Sequence, residues 1–145
     1  MNKIIITVML VTLLPNIAQG ESGLEELIFI ANLTPQQTMT VESAKDFFLG
    51  KRRLWPDGNT VKVAIPGENY PFAKTVARSI YKTSTNGMKK FWLSLVFQGR
   101  VNPPTLLKSA EAIIQYVAEH QGAIGVVPAK TPNIPPELIL RIKKQ

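Results

Sequence analysis

"AEAIIQYVAEHQGAIGVVPA", residues 110–129, contains a change of period that decides the fold class. Ala110, Ile113, Ile114, Val117 and Ala118 recur at the spacing of one helix face, with Ser109 placed to cap it and Gly122 to end it. Ala123 to Val127 is then a short, continuous apolar run, which reads as a buried strand. Gly125 inside that run allows close approach of a neighbouring backbone or a ligand. A helix turning directly into a buried strand is the unit from which α/β domains are built.

The same reading extends upstream. Ser84 or Thr85 opens a helix in which Met88, Phe91, Trp92, Leu95 and Val96 share an inner stripe, closed by Gly99. Phe91 and Trp92 lie on that stripe and so belong to the core. Before it, Pro71 suits the first position of a helix whose inner face is Phe72, Val76 and Ile80 and whose outer face is Lys74, Arg78 and Lys82. Val61 to Ile65 alternates with period two, the pattern of a strand, and Pro66-Gly67 ends it. Thr40 caps a helix with Val41, Ala44, Phe47 and Phe48 on one face and Gly50 as its stop. Leu27 to Ala31 (LIFIA) reads as the first strand. Downstream, Pro132, Pro135 and Pro136 lead to a last strand over Leu138 to Ile142. The predicted order is β-α-β-α-α-α-β-β, a mixed sheet of about four strands covered by about four helices. No internal repeat and no second domain is visible.

The first residues read differently. Lys3 precedes an apolar run from Ile4 to Leu14, and Ala18-Gln19-Gly20 offers small residues where a signal peptidase cuts. The run falls short of the roughly 20 apolar residues that span a bilayer. Residues 1–20 are expected to be a cleaved signal peptide and residues 21–145 a single domain, exported to the bacterial periplasm with no transmembrane segment in the mature chain. The whole sequence is 45% hydrophobic and 19% charged, enough apolar surface to close a core. It has no cysteine, which excludes disulfides, thiolate chemistry and cysteine-based zinc sites. Its formal charge of +7 favours anionic partners without naming one.

Catalytic and metal chemistry find little support. His120 is the single histidine and sits at a helix end, where a cation suits the helix dipole. The ten acidic residues show no metal-ligand spacing, so neither enzyme activity, metal nor cofactor is expected. Nucleic acid is set aside because basic residues are not interleaved with aromatics in any binding platform. Lys51-Arg52-Arg53 follows a helix end, which explains three cations through the C-terminal dipole and also leaves them available to an anionic partner. Lys74, Arg78 and Lys82 form an exposed helix face that such a partner can share. Trp55, beside the turn Pro56-Asp57-Gly58, is expected to be partly exposed. Asn32-Leu33-Thr34 matches a glycosylation sequon and is taken as incidental.

"DFFLGKRRLWPDGNTVKVA" (46–64), "KKFWLSLVFQGR" (89–100) and the 110–129 segment resemble, in the same order, the second lobe of the PstS-like phosphate-binding proteins of bacterial ABC transporters. The resemblance runs from about Leu27 to Ala129. It implies a periplasmic-binding-protein-like α/β fold, here with room for a single lobe. In that family the anion lies between two lobes, held largely by backbone N–H groups at helix N-termini. The second-lobe loop of the family, an arginine and then a serine-glycine-threonine segment opening a helix, falls at Pro66-Gly67-Glu68-Asn69-Tyr70. No arginine, serine or threonine stands there, and Glu68 adds a charge that repels phosphate.

The resemblance therefore implies a candidate anion half-site made of Asn69, Tyr70 and Lys74, taking inorganic phosphate or a related oxyanion, alone or in a homodimer. The second reading is a protein-interaction or sensory module that keeps the fold and uses Lys51, Arg52, Arg53, Arg78 and Lys82 to contact an envelope protein.

Overall fold

Three helices begin at a side-chain cap. The computed structural model describes residues 26–144, so the expected signal peptide at residues 1–20 lies outside the described residues. Thr40, Ser84 and Ser109 each accept a hydrogen bond from a backbone N–H in the first turn, at Ser43, Gly87 and Ala112. They open α1 (Val41–Phe48), α3 (Thr85–Phe97) and α4 (Ala110–Glu119). α2 (Ala73–Ser79) has no side-chain cap, and Pro71 stands two residues before it rather than at its first position.

The strands are β1 (Leu27–Ala31), β2 (Thr38–Met39), β3 (Lys62–Pro66), β4 (Thr105–Leu107), β5 (Ala123–Pro128) and β6 (Arg141–Ile142). Four form one sheet in the order β1-β5-β3-β4, with β1 antiparallel to β5 and the other pairs parallel. The fold is thus α/β with a mixed four-stranded sheet, as the order of periods implies. Two differences follow from non-local pairing. β4 gains its strand character from β3, in the register Ala64 to Thr105 and Ile65 to Leu106. The expected last strand over Leu138–Ile142 instead begins as a 3-10 turn, Pro136–Leu138; Ile139 then makes a single antiparallel bridge to Ile30, and Arg141–Ile142 pairs with β2 in a separate two-stranded sheet.

Both faces of the main sheet are covered, which is why β5 reads as unbroken apolar sequence. Ile30, Ala64, Ala123 and Val127 meet Ile113 and Val117 of α4 on one side. Their chain neighbours Phe29, Ala31, Ile65, Ile124 and Val126 face α1, α2 and α3 on the other, among Phe47, Phe48, Val76 and Trp92. Gly125 lies on the α4 side. A Cβ there would stand 2.8 Å from Ile113 Cγ2 and 3.0 Å from Val117 Cγ2, so the close approach that glycine permits is that of α4.

Trp55 corrects the sequence expectation of partial exposure. It is 2% exposed, its ring centroid 4.3 Å from that of Phe47 and its Nε1 donating to the Gly122 carbonyl at 2.8 Å. The turn beside it leaves the indole free to fold inward, since Trp55 N bonds Asn59 O and Asp57 Oδ1 accepts from Asn59 N at the tip.

Candidate functional site

β3 and β4 run parallel, and their carboxyl ends are tied by a 2.8 Å hydrogen bond from Gly67 N to Leu107 O. The turn that follows holds the candidate half-site. Tyr70 N donates to Gly67 O, and Ala73 N to Tyr70 O, so the chain curls back before α2. Asn69 is exposed in this turn, and Lys74 is exposed in the first turn of α2. Tyr70 is half-buried, its ring 5.7 Å from that of Phe72. Burial first, and then the Glu111 carboxylate, push its phenol above the ordinary value, while a hydrogen bond with the Ala110 backbone acts the other way. Tyr70 therefore leans on the start of α4, and Asn69 and Lys74 are the open polar groups of the turn.

Glu68 is not the uncompensated charge that the sequence suggests. Its Oε2 lies 3.4 Å from Lys89 Nζ, both side chains being more than half exposed. The pair is solvent-screened, yet it places a cation beside a carboxylate that would repel an oxyanion. Lys89, on α3, carries no signal for this role in the sequence, because it lies 21 positions from its partner.

The cations of the 51–53 segment stand at the other end of β3, where Val61 N donates to Arg53 O. α1 ends with Gly50 at φ +68°, and the N–H groups of Lys51 and Arg52 both bond Asp46 O, which aims the next residues outward. Lys51 turns back to Asp46, at 3.7 Å. Arg52 and Arg53 instead border a groove of about 550 Å³ with Lys62 and Arg100, above Phe47 and Trp92. Among the described residues no acidic side chain lines it. Arg53 Nη1 donates to Arg100 O at 2.9 Å, which fixes one guanidinium across the groove. Sequence reasoning missed Lys62 and Arg100, since nothing local links them to the triplet.

The two basic stripes are not one surface around this groove. Arg78 is exposed on α2, and Lys82, at φ 56°, is exposed just beyond it; neither lines the groove, nor does Lys74. His120 follows α4, its ring stacked on Tyr116 at 4.1 Å and its Nδ1 2.7 Å from Tyr116 O. Among the described residues no group of three or more His, Asp or Glu side chains is placed to hold a metal ion. No described helix is long and apolar enough to cross a membrane.

No family model and no curated protein sequence matches the chain. Solved structures do. PstS from Borrelia burgdorferi is similar with a TM-score of 0.57 and 14% identity, over 82% of this chain and 47% of that one. An ABC-type phosphate transport receptor from Vibrio cholerae is similar with a TM-score of 0.51 and 13% identity, over 83% of this chain and 47% of that one. The match thus spans about half the length of each receptor. At such identities the likeness concerns architecture: the chain has the α/β fold of a periplasmic-binding-protein-like lobe.

Proposed function

We propose that the chain is an exported periplasmic module related to the PstS-like phosphate receptors, a binding protein rather than an enzyme, which holds phosphate or a related oxyanion at an open half-site. The observation that carries this reading is the turn at the carboxyl ends of parallel β3 and β4, tied by Gly67 N and Leu107 O. Ligands of open α/β sheets bind outside those strand ends. The Asn69 amide and the Lys74 ammonium supply donors there, and Lys89 offsets Glu68. This lobe by itself leaves the anion hydrated on one side, so high affinity needs a second lobe or a second copy to close over it. Phosphate titration followed by backbone amide NMR tests the site directly. Shifts centred on residues 67–74 are expected; shifts centred on Arg52, Arg53 and Arg100, or none, would count against it.

The second reading is an envelope interaction module that retains the fold. It is favoured by one specific observation, the groove bordered by Arg52, Arg53, Lys62 and Arg100, with no acidic side chain lining it among the described residues.

A further inference from the structure

The groove at the start of β3 and β4 has a shape and a charge that together select an occupant. Four cations border it, and among the described residues the side chains of Arg52, Lys62 and Arg100 have no ion-pair partner. Like charges gathered without counter-charge repel one another, and an anion seated among them relieves this. The floor is not polar: Phe47, Val63 and Trp92 lie beneath the cations. A bare inorganic ion would leave those apolar surfaces uncovered.

The form is elongated. A second depression, lined by Lys51, Trp55 and Pro56, shares Arg52, Arg53 and Leu54 with the first, so the two adjoin along the 51–56 segment. Leu54, 56% exposed, stands between them as an apolar post. Thr105, the first residue of β4, borders the same groove, and among the described residues no strand pairs with the outer side of β4. An extended chain can therefore run past Leu54 with carboxylates on the cations and apolar side chains against the floor.

We propose that this groove is the docking site for an acidic, extended peptide segment of a partner protein, with Arg52, Lys62 and Arg100 as the carboxylate contacts and Leu54 as the apolar anchor. The proposal rests on the interaction-module reading and gives that reading its surface and its ligand class. Arg53, already bonded to the Arg100 carbonyl, positions the groove wall.

The test uses the protein purified after export with its own N-terminus. A fluorescein-labelled, glutamate-rich peptide with interspersed leucines is titrated by fluorescence anisotropy, beside the glutamine counterpart and anionic lipid vesicles. Binding of the glutamate peptide that weakens with salt is expected, with about tenfold or greater loss in Arg52→Glu/Arg100→Glu. Lys90→Glu/Lys130→Glu, which changes net charge equally on other surfaces, is expected to bind within about twofold of the parent protein. Circular dichroism establishes that each variant is folded, and Lys62→Gln provides a milder substitution in the same groove. Equal loss in the two double variants would overturn the proposal as general charge attraction, and so would preference for the vesicles. Binding lost only on reversal of Lys74 and Arg78 would overturn the groove while leaving the interaction reading standing. Absence of peptide binding at low salt would overturn both.

Discussion

The indole N–H of Trp55 donates to the backbone carbonyl of Gly122 at 2.8 Å, joining the cationic turn after α1 to the turn between α4 and β5. The same carbonyl also accepts from Lys62 N at 3.2 Å, so losing the indole does not orphan it. Trp55→Phe is therefore expected to cost about 1–2 kcal/mol, one hydrogen bond plus some lost packing on Phe47. Trp55→Ala, which empties the site, is expected to cost about 3–5 kcal/mol. Urea unfolding of the two variants separates the contributions.

Gly125→Ala places a methyl group 2.8 Å from Ile113 Cγ2 and 3.0 Å from Val117 Cγ2. Both contacts lie at the centre of the α4 interface, where neither helix nor strand can move freely. Destabilisation of about 1–3 kcal/mol is expected from such overpacking. Ile113→Ala removes Cγ2, the atom in contact, so the losses of the two substitutions are expected to be less than additive in thermal melts.

Tyr81 is expected to give alkaline sensitivity. Its hydroxyl donates to Phe48 O at 2.9 Å and accepts from Trp92 Nε1 at 2.8 Å, and burial pushes its phenol well above the ordinary value despite the Trp92 bond. A folded pKa above the unfolded one means that its share of stability is present below about pH 10 and is lost as pH rises from there. Tyr81→Phe removes this dependence, and it leaves two buried groups without their partner, at about 1–3 kcal/mol near neutral pH. Denaturant midpoints across the alkaline range, compared for parent and variant, show both effects.

Glu68→Gln tests the charge balance of the half-site. Removing the carboxylate leaves Lys89 uncompensated beside Asn69, so phosphate affinity is expected to rise a few-fold, in keeping with about 1 kcal/mol or less for exposed charges. Lys89→Gln should lower it by a similar factor. Equilibrium dialysis with phosphate measures both, and unchanged affinity in the pair would place the anion elsewhere.

What the sequence made legible was local. The helices α1, α3 and α4 carry their period and their caps within one stretch of chain, and β5 carries its burial in its composition. β4 is three residues long after two prolines and becomes a strand only beside β3, and β2 and β6 make sense only as a pair. Lys45 looks like a surface cation yet is 7% exposed, because its stem lies along the core while its ammonium reaches Glu42 at 3.2 Å. For the candidate site, Asn69, Tyr70 and Lys74 were visible as neighbours in sequence. The engagement of Tyr70 with Ala110, the pairing of Glu68 with Lys89 and the joining of Arg53 to Arg100 are products of tertiary packing.

The proposed function depends on an oxyanion site at the carboxyl ends of β3 and β4. Thermal unfolding of the purified protein in rising phosphate, against sulfate and chloride at matched ionic strength, measures such binding. A ligand that binds only the folded state adds about 2.7 kcal/mol at a hundred times its dissociation constant, so even millimolar affinity is measurable. Stabilisation by phosphate beyond that given by chloride is expected, lost in Asn69→Ala/Lys74→Ala. Equal stabilisation by all three salts, or a phosphate effect unaltered in that variant, would contradict it.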